Sequence, residues 1–105
     1  MTGTVKEKCY LIAVSVRKDG ITVSGHANYA EAGKDIVCAG VTALVQTLIK
    51  SIEGLTQDKI QYEISPGRVD IHYRNLSEEG KLLVDSFFLG VCMIANEFPS
   101  NVRIM

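Results

Sequence analysis

The chain has 105 residues, of which 47% are hydrophobic, and its net charge at neutral pH is −1. This length favours one domain over residues 1–105, with a core that needs no metal or disulfide support. The near-neutral charge and the scattered Lys and Arg residues argue against a nucleic-acid partner. The sequence has no apolar run of about 18 residues, which argues against a membrane span.

The first residues, MTGTVKEKCY, lack the apolar centre of a signal peptide, so we expect a cytoplasmic protein. Three widely spaced cysteines, Cys9, Cys38 and Cys92, fit a reducing compartment better than a disulfide framework. The sequence contains two histidines, and we therefore expect no metal site and no cofactor.

The first third of the chain predicts two strands. Residues 9–16 alternate between two faces, as strand residues do, with Ile12 and Val14 on the same face. Lys18-Asp19-Gly20 predicts a hairpin turn in which Gly20 can take positive φ, and residues 21–25 return as the second strand.

The middle of the chain predicts a helix followed by a second hairpin. Asp35 is the predicted N-cap of a helix that starts at Ile36, and Gly54 is its predicted C-cap. Apolar residues recur at helical spacing between these ends. Residues 59–64 and 68–74 predict two strands joined across Ser65-Pro66-Gly67.

Ser77 is the predicted N-cap of a last helix, which is apolar around much of its circumference over residues 82–95. Residues 98–105 predict a short extended segment. The order ββαββα predicts an α+β fold, a two-layer sandwich with an antiparallel sheet and both helices packed on one face. The wide apolar surface of the last helix indicates that it is sandwiched or shared with a second subunit.

Two residues have the chemical groups of a catalytic pair. His26 follows the second strand, and Cys38 lies in the first turn of the first helix. Unpaired N–H groups and partial positive charge at a helix N-terminus favour the thiolate form of cysteine. A nearby imidazole can take the thiol proton and make the sulfur a nucleophile. A core cysteine and a loop histidine explain the same residues, and spacing alone leaves both interpretations open.

Several positions form a recognisable pattern: Gly25-His26-Ala27, Gly33, residues 35–39 and the hydroxyl residue Thr42. This pattern resembles that of the ribosomal-processing cysteine protease family, Prp. The chain length, the ββαββα order and the Lys-Asp-Gly hairpin are similar to that family as well. The resemblance implies a protease that removes a short N-terminal extension from a ribosomal large-subunit protein. It also implies a homodimer.

The resemblance further implies roles for individual residues. Cys38 is expected to be the nucleophile, with His26 as general base and later proton donor. Gly25 and Gly33 are expected to give the loop its conformational freedom, and Asp35 to cap the helix and support the site.

Two further residues are expected to border the substrate. Tyr29 is expected to rest against an aromatic substrate side chain. Thr42 stands where the family commonly has serine, so its hydroxyl is retained beside an added methyl group. The family's substrate has an aromatic residue at the cleavage point, which predicts an apolar pocket near Cys38.

Two other functions use the same residues. A ribosome-associated module could hold a peptide in this cleft without cleaving it. A redox sensor could use a reactive Cys38, although neither Cys9 nor Cys92 is an obvious resolving cysteine.

Overall fold

The computed structural model describes residues 11–25 and 35–105. Five strands and two helices follow one another in these ranges: β1 (Ile12–Arg17), β2 (Gly20–Gly25), α1 (Asp35–Leu55), β3 (Ile60–Ser65), β4 (Arg68–Tyr73), α2 (Glu78–Glu97) and β5 (Val102–Ile104). The order confirms the predicted ββαββα arrangement and adds one short strand at its end.

The five strands form one sheet in the order β3-β4-β2-β1-β5. The β1–β2, β2–β4 and β3–β4 pairs are antiparallel, whereas β5 is parallel to β1. The α+β class and the antiparallel pairing of the four predicted strands are therefore confirmed, and the additional strand β5 is parallel to its neighbour. The reason is that β5 follows a helix rather than a hairpin, and a helix can return the chain in the direction of β1.

The core lies between the helices and the inner face of the sheet. In β1, Ile12 and Val14 are buried, as their alternation predicted, and Ile71 and Tyr73 are buried in β4. Sixteen hydrophobic residues of the described ranges form this core: Ile12, Val14, Ile21, Val23, Val37, Val41, Val45, Leu48, Ile49, Ile52, Ile71, Tyr73, Val84, Phe87, Val91 and Val102. Each large apolar side chain buried in this way contributes roughly 1.5–3 kcal/mol.

The two helices pack closely because glycines lie at their contact. A Cβ atom on Gly90 of α2 would lie 2.9 and 3.0 Å from the two methyl carbons of Leu44 in α1. A Cβ on Gly40 would lie 3.2 Å from the Cδ1 of Ile94. These glycines let each helix accept a side chain of the other.

The N-cap of α2 is confirmed and is itself held by another side chain. The hydroxyl of Ser77 accepts a hydrogen bond from the backbone N–H of Gly80 at 3.0 Å. The Asp58 carboxylate accepts from both the backbone N–H (3.0 Å) and the hydroxyl (2.7 Å) of Ser77. Asp58 thereby joins the segment after α1 to the start of α2.

The predicted C-cap at Gly54 is wrong, because α1 continues through Gly54 to Leu55. The Thr56 hydroxyl donates to the carbonyl of Ile52 at 2.7 Å and accepts from the backbone N–H of Asp58 at 3.0 Å. Thr56 therefore satisfies an end carbonyl of the helix and directs the chain away, so no left-handed glycine is needed.

The two hairpins use glycine for different reasons. Gly20 begins β2 without positive φ, contrary to the conformation expected for it, and a Cβ there would lie 2.6 Å from the carbonyl oxygen of Ile71. Gly67 follows Pro66 and has φ of +76°, a combination typical of a type II turn. Close approach of β4 therefore explains the first glycine, and backbone conformation the second.

α1 has the length and composition of a membrane span, with a mean hydropathy of 1.5 over an 18-residue window of Ile36–Leu55. This is weak evidence for a membrane, because the central helix of a globular core has the same composition. One face of α1, including Val41, Val45 and Leu48, is buried in the core. One third of the window is buried, so much of an apolar helix faces outward.

Candidate active site

Cys38 is the fourth residue of α1, within the helical turn whose N–H groups lack carbonyl partners in the helix. Its side chain is partly buried, packs against the core and borders an open groove. The cysteine thus belongs in part to the core, as one interpretation of the sequence held, while it also faces space that a ligand can enter.

The groove lies between α1 and the β3–β4 hairpin and has a volume of about 210 Å³. Its mostly apolar lining comes from both walls and from the sheet beneath them: Ile12, Val23, Ser24, Gly25, Cys38, Val41, Thr42, Val45, Gln46, Ile64, Ser65, Gly67, Arg68 and Val69. Pockets that bind drug-sized ligands have volumes of about 300–1,000 Å³. The groove therefore suits one large apolar side chain better than a whole small-molecule ligand.

Gly25 ties the end of β2 to the tip of the β3–β4 hairpin. Its backbone N–H donates to the carbonyl of Gly67 at 2.9 Å. Gly25 has φ of +156°, and a Cβ there would lie 2.5 Å from the carbonyl oxygen of Leu11. A Cβ on Gly67 would lie 2.9 Å from the carbonyl oxygen of Gly25. The last residue before His26 is therefore fixed against a wall of the groove.

The structure brings three of the sequence-predicted site residues to one groove: Gly25, Cys38 and Thr42. Thr42 lies one helical turn after the cysteine on the same wall. Asp35 begins α1, but its side chain lies outside the described part of the structure.

Three other predicted site residues, His26, Tyr29 and Gly33, lie outside the described residues, as does Cys9. Their roles stay predictions.

Sequence reasoning missed the opposite wall of the groove, formed by Ile64, Ser65 and Arg68. The sequence predicted a strand over residues 59–64 and gave no reason to assign these side chains to a binding site. The signal that was present is the Pro66-Gly67 turn, which ends β3 beside the end of β2.

Arg68, at the rim of the groove, is held by Asp70 on the outer face of the sheet. The Arg68 Nε donates to Asp70 Oδ2 at 2.8 Å, and the Thr22 hydroxyl donates to Asp70 Oδ1 at 2.9 Å. The hydrogen bond from Arg68, followed by that from Thr22, lowers the pKa of the Asp70 carboxyl. The same hydrogen bond raises the pKa of Arg68. Arg68 thus stays charged and oriented beside the groove.

A second cleft is polar and lies at the far end of the sheet from the Gly25–Gly67 contact. It has a volume of about 530 Å³ and is lined by Asp19, Lys59, Gln61, His72, Tyr73 and Arg74. His72 is exposed there. Within residues 11–25 and 35–105, no three His, Cys, Asp or Glu side chains are grouped to hold a metal ion.

Comparison with known families identifies the class of this protein. The family model for the cysteine protease Prp matches residues 11–103, which is nearly the whole chain. The protein is therefore a cysteine protease. More particularly, the chain belongs to the Prp family of ribosomal-processing proteases.

Two curated relatives carry the description ribosomal processing cysteine protease Prp. The Staphylococcus aureus (strain Mu50) protein is 28% identical over 102 residues, covering 89% of this chain and 94% of its own length. The Bacillus subtilis (strain 168) protein is 28% identical over 92 residues, covering 78% and 80%.

Two solved structures have the same fold. The S. aureus protease with a covalently linked product peptide has a TM-score of 0.77 and 25% identity, over 90% of this chain and 95% of its own. The SMU.848 protein from Streptococcus mutans has a TM-score of 0.75 and 28% identity, over 90% and 92%.

Proposed function

We propose that this protein is an endopeptidase that removes a short N-terminal extension from a ribosomal large-subunit protein in the cytoplasm. Cys38 is the nucleophile and His26 the general base. The observation that carries the proposal is the place of Cys38 in the first turn of α1, beside an apolar groove that also includes Gly25. Gly25 directly precedes His26 in the chain.

The proposed reaction proceeds in two stages. His26 takes the proton of the Cys38 thiol, and the sulfur attacks the carbonyl carbon of the scissile peptide bond. Backbone N–H groups in the first turn of α1 stabilise the oxyanion that forms. The C–N bond then breaks as His26 gives its proton to the leaving amine, and water activated by His26 releases the acyl group from Cys38.

The groove supports a peptide substrate with a large apolar residue at the cleavage point. Its volume of about 210 Å³ fits one aromatic side chain, and its lining is mostly apolar. We propose that Thr42 borders this side chain and that Tyr29 rests against it. Gly33 would give the intervening loop its freedom, and Asp35 would cap α1. The S. aureus relative has been solved with a covalently linked product peptide, in agreement with covalent catalysis.

We also propose that the protein is a homodimer joined through its helices. Leu82, Leu89 and Met93 of α2 are 69, 65 and 72% exposed. Spacings of seven and four residues place all three on one stripe of the helix. Burying this stripe against a second copy removes apolar surface from water, which favours association. Leu89→Glu should convert the dimer to a monomer in analytical ultracentrifugation, and an unchanged mass would reject this interface.

Cleavage of a synthetic peptide tests the proposed reaction. The peptide should carry the N-terminal extension of the ribosomal protein, and mass spectrometry should locate the cut. Cys38→Ala and His26→Ala should each lose more than about 100-fold in kcat, since general base and nucleophile each contribute at least this much. Cys92→Ala is the matched control, because Cys92 lies on α2 outside the groove lining.

Three other outcomes would contradict the proposed reaction. Wild-type activity in Cys38→Ala or His26→Ala would reject the dyad. Peptide binding without turnover in the intact protein would reject the protease and favour a binding module. Reversible oxidation of Cys38 without any peptide cleavage would favour a redox sensor.

A further inference from the structure

The edge strand β3 exposes apolar side chains on the face where a core would be expected. The register pairs Tyr62 with Ile71 and Ile64 with Val69, so both β3 residues face the helix side of the sheet. Ile71 is fully buried there, yet Tyr62 is 40% exposed and Ile64 is 59% exposed. The helices therefore leave this part of the sheet uncovered. We call the pair Tyr62 and Ile64 the β3 ledge.

The β3 ledge is continuous with the candidate active site. Ile64 lines the groove on the wall opposite Cys38, whereas Tyr62 lies two residues further along the strand and outside the groove lining. A ligand that fills the groove and extends along β3 meets Ile64 first and Tyr62 next. This continuity distinguishes the β3 ledge from the exposed apolar stripe on α2.

The spacing on the β3 ledge matches an extended peptide. Residues two apart in a strand are about 6.6–6.8 Å apart along its axis and point to the same side. An extended peptide that runs along β3 has the same repeat, so every second side chain can contact the β3 ledge. The intervening β3 residues, Gln61 and Glu63, belong to the opposite sheet face and stay in water.

We propose that the β3 ledge binds alternate apolar side chains of an extended substrate segment, at positions away from the scissile bond. This proposal rests on the proposed protease function and adds a second recognition site to it. The groove selects the residue at the cleavage point, whereas the β3 ledge selects apolar residues at a spacing of two. Such a site explains how a small open groove can distinguish one segment among many peptides with an aromatic residue.

Two peptides test the proposal. The short peptide ends within two residues of the cleavage point, and the long peptide extends five residues on each side. The ratio of kcat/KM for the long peptide to that for the short one should fall about tenfold in Tyr62→Ser, as loss of one apolar contact predicts. Gln61→Ser is the matched control, because the Gln61 side chain faces away from the β3 ledge, and its ratio should equal that of the wild type.

Binding separates failure of the β3 ledge from failure of the protease. The Kd of the fluorescently labelled long peptide is measured in Cys38→Ala with and without Tyr62→Ser, and the second change should weaken it about tenfold. A wild-type protein that cleaves neither peptide would reject the protease, while this loss of affinity would still support the β3 ledge. An unchanged ratio with an unchanged Kd would overturn the β3 ledge. A changed oligomeric state in Tyr62→Ser with an unchanged ratio would also overturn it, because a second copy would then cover β3.

Discussion

Replacing Gly67 with alanine should loosen the contact that fixes the end of β2. Gly67 has φ of +76°, which costs a residue with a Cβ about 1–2 kcal/mol. The new Cβ would lie 2.9 Å from the carbonyl oxygen of Gly25, so the turn must shift. That shift stretches the hydrogen bond from Gly25 N to Gly67 O, whose net contribution is about 1 kcal/mol. We therefore expect Gly67→Ala to lower the free energy of unfolding by about 2–3 kcal/mol.

Thermal unfolding followed by circular dichroism measures this effect. A loss of about 2–3 kcal/mol corresponds to a Tm lower by about 10 °C in a domain of this size. Gly54→Ala is the matched control, because Gly54 lies inside α1 and a Cβ added there would meet no other atom within 4 Å. Alanine in a helix gains roughly 0.5–1 kcal/mol over glycine, so the control should raise the Tm by a few degrees.

The two substitutions should shift the Tm in opposite directions. If Gly67→Ala unfolds at or above the wild-type temperature, the turn does not require its left-handed conformation and the contact with Gly25 is not tight. Peptide cleavage gives a second readout. Since Gly25 directly precedes the proposed general base, we expect kcat to fall in Gly67→Ala and not in Gly54→Ala.

Three further substitutions test other contacts. Gly90→Ala should cost about 1–2 kcal/mol in urea unfolding, because the new methyl group would press on Leu44 between the helices and the roughly 0.5–1 kcal/mol that alanine gains over glycine in a helix offsets only part of this cost. An unchanged or raised midpoint would contradict this packing. Ser77→Ala should cost about 2 kcal/mol, again read from the urea midpoint, because it removes both the α2 cap and the hydrogen bond from the hydroxyl to Asp58. Asp70→Asn should destabilise the protein at pH 7, because its lowered pKa reflects a stabilised carboxylate beside Arg68. That contribution is complete above the unfolded pKa of about 3.9 and is lost as the pH falls through the lower folded value, so the difference between the two proteins should shrink steadily below about pH 4. A difference that stays constant as the pH is lowered through this range would contradict it.

Local sequence patterns predicted most of the helices and strands, because interactions between residues a few positions apart determine these elements. Alternation identified the buried face of β1, and the helix start predicted at Asp35–Ile36 placed Cys38 in the first turn of α1. Ser77 was recognisable as an N-cap because its hydroxyl bonds an N–H only three residues away.

The features that sequence reasoning missed depend on residues distant in the chain. The parallel pairing of β5 depends on how α2 returns the chain to β1. The exposure of Ile64 depends on where the helices stop covering the sheet, and no pattern within β3 reports this. The end of α1 was misplaced because Gly54 is a familiar end signal, whereas the actual end depends on the hydroxyl of Thr56.

The bond between Asp58 and Ser77 has a consequence for how the protein can evolve. These residues bracket the β3–β4 hairpin and lie 19 positions apart, so one carboxylate closes the hairpin into a compact local loop. Closing so short a loop costs little chain entropy. The hairpin wall of the groove is therefore held by contacts between residues close in sequence, whereas the other wall is formed by α1. Substitutions in α1 can therefore adapt that wall to a new peptide without changing the conformation of the hairpin.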